Sequence, residues 1–126
     1  MLAVGRALCR WREQHATLSA LGLRARLVTD ADASVAEGAR SVLTLRFAGS
    51  DHAAGVPFAL TEELKAAQTE DLPALVTALV ESVNGRCYPD DPDAFIRRLT
   101  LRAVSFDREA GLAGMATLEW EGEASW

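Results

Sequence analysis

The sequence predicts a single α+β domain, a two-layer sandwich of two helices packed on a mainly antiparallel sheet. Two stretches place apolar side chains at helical spacing, and four stretches alternate apolar and polar side chains as half-buried strands do. Their order is α-β-β-α-β-β, and helices on one face of an antiparallel sheet form two layers. One domain spanning residues 1–126 is expected, because a chain of this length buries roughly two thirds of its unfolded surface.

The first helix is predicted over residues 2–21. Its apolar side chains recur every three or four positions, and Gly22 follows as a natural end of the helix. The stripe consists of Val4, Leu8, Trp11, Leu18 and Leu21, with His15 in the same row. We therefore expect His15 to pack inside the domain or to face a partner.

Two half-buried strands are predicted after this helix. The first alternates from Leu23 up to Asp30, and the second alternates over residues 42–47. Residues 30–40, between the strands, mix small and acidic side chains without periodicity. They predict a mobile connection that is longer than a hairpin turn.

Residues 49–70 give weaker signals. Glycines near the start of this segment indicate a loop, and residues 56–60 predict a short extended piece. Thr61 is placed to cap a short helix that would reach Gln68.

The second helix is predicted from Leu72 onward. Asp71 is expected to cap it, since a carboxylate there accepts from the free N–H groups of the first turn, where Pro73 is also tolerated. Asn84-Gly85 closes the helix, because both residue types accept the left-handed conformation. The apolar stripe consists of Leu72, Leu75, Val76, Leu79, Val80 and Val83.

A long antiparallel hairpin is predicted at the end of the chain. Residues 88–93 form a turn-rich loop with two prolines and three aspartates. Residues 98–106 and 112–120 then alternate as strands, and Gly111 between them supplies the positive φ that a short connection needs.

The charge balance excludes some classes of partner. The chain has 13 Lys+Arg and 18 Asp+Glu, a net charge of -5, which disfavours sequence-specific nucleic-acid binding. No apolar run reaches the roughly 18 residues of a membrane helix, and arginines near the N-terminus do not fit a signal peptide. We expect a soluble, cytoplasmic protein without membrane contact, in which Cys9 and Cys87 are unrelated thiols.

Candidate catalytic residues are few. His15 and His52 are the two histidines, and Asp51-His52 lacks a third metal ligand at a known spacing. Prolines interrupt the acids of residues 88–93, so these acids fit a turn better than a calcium loop. The sequence has neither a glycine-rich phosphate loop nor a serine nucleophile motif. We expect no catalytic residue, cofactor or metal, and hence no enzyme.

Charged and aromatic side chains near the C-terminus indicate partner binding. The candidate subunit or partner interface consists of Arg97, Arg98, Arg102, Glu119, Glu121 and Trp126. The arginines and glutamates of the two strands either pair with one another or pair with an identical neighbouring subunit. Trp120 and Trp126 either pack on the domain itself or anchor a partner, because tryptophan is enriched in interface centres.

Five short motifs follow one another between residues 71 and 121. They are Asp71-Leu72-Pro73 with the helix to Glu81-Ser82, Cys87-Tyr88-Pro89 with the acidic loop, Phe106-Asp107-Arg108, Ala110-Gly111-Leu112, and Thr117-Leu118-Glu119-Trp120-Glu121. In this order of helix, Tyr-Pro turn, charged turn and terminal strand, the sequence resembles the tail terminator family of long-tailed bacteriophages, of the lambda minor tail protein U type.

The resemblance implies a small subunit that closes into a ring, commonly a hexamer, on the head-proximal end of a completed tail tube. Such a ring stops tube polymerisation and docks the head-completion or neck proteins. The implied partners are therefore other copies of the chain, the tail tube protein and a neck protein. The implied location is the neck region of the virion tail, and the host cytoplasm during assembly.

A ring through which DNA passes has physical requirements that the sequence meets. Ring contacts join two different patches of each subunit, so opposite charges on separate faces are useful. Acidic side chains facing the channel reduce sticking of DNA by like-charge repulsion. We expect Asp90, Asp91 and Asp93, or the connection at residues 30–40, to face this channel.

Two other classes of small acidic binding protein fit the sequence. A secretion chaperone has a similar order of elements, although those chaperones normally add a C-terminal helix and form dimers, whereas the last element predicted here is a strand. A toxin-immunity protein is likewise small, acidic and non-catalytic.

Overall fold

The computed structural model describes residues 2–27, 39–47, 55–66, 68–107 and 115–126. Within them the chain is a mixed α+β protein with few helices and one curled six-stranded sheet, so the predicted α+β class is confirmed. The helices are α1 (Leu2–Gln14), α2 (Ala16–Ala20) and α3 (Leu72–Val83), with a 3-10 turn (Thr69–Asp71) before α3. The strands are β1 (Arg24–Leu27), β2 (Arg40–Phe47), β3 (Val56–Lys65), β4 (Arg86–Tyr88), β5 (Phe95–Asp107) and β6 (Met115–Ser125).

The strands lie in the order β1-β2-β3-β6-β5-β4 across the sheet. β1 runs parallel to β2, and the other neighbouring pairs are antiparallel. Leu43 of β2 and Leu118 of β6 lie opposite Glu62 of β3 at the centre. The face of the sheet that buries alternate residues is called the inner face, and on β3 it consists of Val56, Phe58, Leu60, Glu62 and Leu64. The opposite, outer face leaves its residues half-buried or exposed.

The apolar core joins the inner face to the helices. α1 packs on β1, β2 and β5, and α3 packs on β4, β5 and β6. Gly5 allows α1 to approach β1 closely, because a Cβ at this position would lie 2.6 Å from Leu27 Cδ2. Trp120 of β6 is 1% exposed and belongs to this core, which settles the alternative that the sequence left open for it.

β3 departs most from the sequence prediction. The short helix predicted from Thr61 to Gln68 is wrong, because the extended piece at 56–60 continues as one strand to Lys65. Apolar residues alternate along this strand, but Glu62 occupies one of the inner positions and interrupts the apolar pattern. β3 and the short β4 are absent from the predicted order of elements, which is therefore not the observed one.

The helix ends differ from the prediction in three details. The first helix divides at His15, whose Nδ1 accepts a hydrogen bond from Thr17 N at 3.3 Å and so caps α2. Asp71 precedes α3 but makes no side-chain cap, since it ends the 3-10 turn in right-handed helical geometry. Gly85 adopts a φ of 72°, whereas Asn84 stays at -63°. Asn84 Oδ1 instead accepts from Leu101 N at 2.8 Å on β5.

A buried ion pair joins α1 to the centre of the sheet. Arg12 donates through Nε and Nη2 to the two carboxylate oxygens of Glu62, each at 2.9 Å, and both side chains are 0% exposed. Trp120 Nε1 donates to the same carboxylate at 3.0 Å, and Ser41 Oγ donates to it from β2. Arg12 Nη1 also donates to Leu8 O at 3.2 Å. One carboxylate thus connects α1, β2, β3 and β6.

Burial of two charges is tolerated here because their hydrogen bonds are made. Removing each ion from water costs on the order of several kcal/mol. Only good geometry and full hydrogen bonding offset a cost of this size. Every buried side-chain nitrogen and oxygen of the described residues has a hydrogen-bond partner. The pair therefore specifies how the elements assemble, and removal of either partner leaves an uncompensated buried charge.

Replacing Arg12 with Met is expected to lower the free energy of unfolding by about 3–5 kcal/mol, because the Glu62 charge stays buried and loses its partner. The double variant R12M/E62Q is expected to be more stable than R12M, since a neutral amide keeps an acceptor for Trp120 Nε1. Urea unfolding measures both. The control is R102A at an exposed pair, which is expected to cost less than about 1 kcal/mol. Equal losses for R12M and R102A would contradict the prediction.

Candidate functional site

An open groove crosses the outer face over β3, β6 and β5, and it has a volume of about 780 Å³. Three arginines line it, namely Arg97, Arg98 and Arg102, together with Pro57, Phe58, Ala59, Cys87, Thr100, Glu121, Gly122 and Glu123. We call it the arginine groove. It brings together four of the six residues predicted as an interface, which are Arg97, Arg98, Arg102 and Glu121.

A bulge in β5 places two consecutive arginines on the same side of the strand. Ile96 and Leu99 are both buried although they are three residues apart, and the pairing register with β6 shifts between Arg97 and Thr100. Arg97 and Arg98, between the buried residues, are both exposed. The bulge puts Arg98 at a φ of 33°, in a region that L-residues avoid at a cost of about 1–2 kcal/mol.

The charges of the groove are unequally paired. Arg102 Nε lies 3.2 Å from Glu121 Oε2, and both side chains are 59% exposed, so water screens this ion pair. Arg97 lies opposite Glu123 in the β5–β6 register. Among the described residues, neither Arg97 nor Arg98 has a carboxylate oxygen within ion-pair distance. The groove therefore presents positive charge on a protein whose net charge is -5.

The two remaining predicted interface residues lie outside the groove. Thr61 Oγ1 donates to Glu119 at 3.4 Å farther along the outer face. Trp126 packs edge-on against Phe47 with 5.6 Å between ring centroids, and it remains 37% exposed. Trp126 thus contacts the domain and keeps part of its ring exposed, so its predicted role at an interface stays a prediction.

The acidic loop between β4 and β5 is tied to α1. Arg10 Nε and Nη2 donate to both oxygens of Asp91, at 2.7 and 2.8 Å, and Nη2 also donates to Asp93 at 2.7 Å. Asp91 accepts in addition from the backbone N–H groups of Asp93 and Ala94. Its side chain is 0% exposed, so Asp91 holds the loop together, whereas Asp90 is exposed to solvent.

The electrostatics of this loop follow from the same contacts. The hydrogen bond from Arg10 lowers the pKa of Asp91, an effect that burial partly opposes. The hydrogen bond to Asp91 likewise raises the pKa of Arg10 above its usual range. Tyr88 packs on the Trp11 ring at 5.4 Å and donates to Gln14 Oε1 at 3.1 Å, and burial raises its pKa. The predicted channel-facing loop therefore rests on α1.

Other candidate groups give no cluster. Within residues 2–27, 39–47, 55–66, 68–107 and 115–126, no three His, Cys, Asp or Glu side chains are placed to hold a metal ion. None of the helices in these ranges has the length and apolar character needed to cross a membrane. His52, Gly111 and residues 30–38 of the predicted connection at 30–40 lie outside the described residues. Cys9 and Cys87 form no disulfide.

Comparison with protein-family models gives no match, and neither does comparison with curated proteins. The chemistry of the arginine groove is that of charge recognition, because guanidinium groups bind carboxylates through two parallel hydrogen bonds. Cys87, Pro57 and Ala59 are parts of this site that the sequence did not indicate. Pro57 and Ala59 lie on β3, and the alternation of Val56, Phe58 and Leu60 around them was the available signal.

Replacing Arg98 with Gly is expected to raise the free energy of unfolding by up to about 1 kcal/mol, because glycine adopts a positive φ without steric cost. The matched control is Arg97→Gly in the same groove. It is expected to lower stability by about 0.5–1 kcal/mol, since glycine loses more backbone freedom in a strand. Thermal unfolding compares the two variants. If R98G were as destabilising as R97G, the backbone at Arg98 would not be strained.

Replacing Asp91 with Asn is expected to lower the free energy of unfolding at neutral pH by about 1–2 kcal/mol. Because the pKa of Asp91 is lowered in the folded protein, its carboxylate stabilises the fold above the unfolded pKa of about 3.9. This contribution is lost as the pH falls through the lower, folded value. Urea unfolding along a pH series should therefore show the two proteins converging under acid conditions.

The control for this series is Asp90→Asn in the same loop, where the side chain is exposed. This variant is expected to follow the unmodified protein at every pH. The difference in unfolding free energy between D91N and the unmodified protein should shrink as the pH falls. A difference that stays constant at acid pH would contradict a stabilising ion pair between Asp91 and Arg10.

Proposed function

We propose that the chain is a structural subunit that assembles with copies of itself into a ring, and that this ring terminates a phage tail tube. The observation that carries the proposal is the arginine groove, a set of exposed opposite charges on the open face of a curled sheet. Exposed charges add little to the stability of a fold but contribute strongly to the choice of partner. The resemblance of residues 71–121 to tail terminators gives the assembly its proposed place.

The fold is suited to this role if its layers are arranged as the sequence predicts. We propose a two-layer sandwich in which α1 and α3 cover the inner face and the outer face carries contacts between subunits. The helices meet the inner-face side chains in one apolar cluster. The outer face is then available along most of β3, β5 and β6.

The β5 edge supports contact with another protein. β5 pairs with β4 only near its start, where Arg86 lies opposite Leu99 and Tyr88 opposite Ile96. Val104 and Phe106, farther along, are 38% and 51% exposed. Exposed apolar side chains on a long strand edge are typical of a site that pairs with or packs on another chain. We propose the tail tube protein or a neck protein as the partner there.

The acidic character of the chain supports passage of DNA through such a ring. Asp90 is exposed and Asp93 is half exposed, while Asp91 anchors the loop on α1. We propose that Asp90 and Asp93 line the channel and that Asp91 positions them. A channel with negative charge repels phosphate groups and does not retain the DNA.

A secretion chaperone or a toxin-immunity protein is the alternative function. The exposed pair Val104 and Phe106 favours it, since a binding module also keeps an apolar edge for its client. The two functions differ in symmetry, because a chaperone forms a two-fold dimer and a terminator forms a ring.

Electron microscopy of the purified protein mixed with tail tubes tests the proposal. The expected result is a ring, with six-fold symmetry, at one end of each tube and tubes that no longer lengthen. The control is tail tubes without the added protein, which are expected to stay uncapped and to continue lengthening. Tubes that stay uncapped, or a compact two-fold dimer in isolation, would refute the terminator function.

A further inference from the structure

We infer that the arginine groove of one copy binds the acidic turn at Glu70 and Asp71 of the next copy. The inference rests on the proposed function, because it requires that copies of the chain assemble. It names the two surfaces that meet, which the ring proposal alone leaves open.

The groove supplies two cations without carboxylate partners. Arg97 and Arg98 are adjacent and exposed on the same side of β5, and no described carboxylate lies within ion-pair distance of either. Arg102 of the same groove is already paired with Glu121. Backbone strain at Arg98, with its φ of 33°, is the kind of feature that persists at functional sites.

The acidic turn supplies two matching anions. Glu70 and Asp71 are consecutive and exposed at the 3-10 turn before α3. Asp71 makes no side-chain cap on α3, although it stands at the position where an aspartate usually does. Neither carboxylate has an ion-pair partner among the described residues. Two unpaired acids therefore match the two unpaired arginines.

The two surfaces lie at opposite ends of one strand. Pro57 and Ala59, near the start of β3, line the groove, whereas the acidic turn follows the end of β3 at Lys65. Lys65 lies six positions along the extended strand from Ala59, which corresponds to about 20 Å. Two different patches this far apart cannot satisfy each other within one chain. They fit a head-to-tail contact, which generates rings when its rotation closes.

The aspartates of the loop between β4 and β5 are less suitable occupants of the groove. Asp91 and Asp93 are held by Arg10. Asp90 belongs to the loop that leads into β5, so it lies at the same end of the sheet as the groove. Because both surfaces lie at one end of the sheet, a reciprocal contact between them closes as a two-fold dimer and extends no further.

Charge reversal tests the contact. The variants R97E/R98E and E70R/D71R each place like charges opposite one another and are expected to weaken self-association at least about tenfold. An equal mixture of the two variants is expected to associate again, since each reversed surface finds its complement on the other protein. Sedimentation velocity at about 50 mM and about 500 mM salt measures this. Circular dichroism verifies folding, and R6E/E81R, with exposed charges outside both surfaces, is the control.

Cross-linking tests the same contact when association is weak. Cys87 lines the groove, so Glu70→Cys under mild oxidation is expected to form disulfides with Cys87 of the next copy. Each copy then carries both thiols, and the product is a ladder of multimers that disappears in E70C/C87S. E81C is the matched control on α3 and is expected to give no ladder.

The outcomes separate this inference from the proposed function. Restored association in the variant mixture, together with a ladder that needs Cys87, supports the contact even if tail tubes stay uncapped. If R97E/R98E alone still forms rings that cap tubes, the proposed contact is wrong and the terminator function is unaffected. Absence of the ladder, dimers that survive C87S, or a mixture that behaves as its separate components also overturn it.

Discussion

The Glu62 carboxylate is the point on which the assembly of this fold depends. It accepts hydrogen bonds from Arg12 of α1, from Ser41 of β2 and from Trp120 of β6. A slip of β3 by one residue would turn Glu62 to the outer face and leave Arg12 buried without a partner. Apolar residues alone would accept several registers at similar free energy. The buried charge therefore selects one register for the three central strands and one position for α1.

The geometry of the arginine groove follows from that register. With Leu60 opposite Trp120, the outer residues of β6 are Glu119, Glu121 and Glu123, and β5 must pair with them. Burial of both Ile96 and Leu99 requires an extra residue between them, which is the bulge that turns Arg97 and Arg98 outward together. Burial of the two apolar side chains thus offsets the strain at Arg98, and the exposed arginines are held in place by the core beneath them.

The predictable parts of the fold were those whose periodicity is local. The stripe from Leu72 to Val83 and the alternation of the last two strands need no distant partner to be recognised. The second half of β3, after residue 60, was predicted as a helix because Glu62 stands at an inner position, and its compensating residue, Arg12, lies 50 positions away. Asp91 was likewise treated as a surface acid because Arg10, 81 positions away, holds it. The charges of the groove could be predicted from β5 and β6, but the bulge could not, since Arg98 occupies a conformation for which glycine is the usual signal.

Two groups of arginines in this chain have contrasting physical roles. Arg12 is enclosed, bidentate and indispensable to the core, whereas Arg97, Arg98 and Arg102 remain in water. An exposed charge contributes little to folding, so reversing the charges of the groove has a small effect on stability. The same reversal turns attraction for a complementary surface into repulsion. Buried charge therefore determines the fold, and exposed charge is left to determine the partner. In a protein with a net charge of -5, a contact through the basic groove also reduces the mutual repulsion of two copies, and so it favours some of their relative orientations over others.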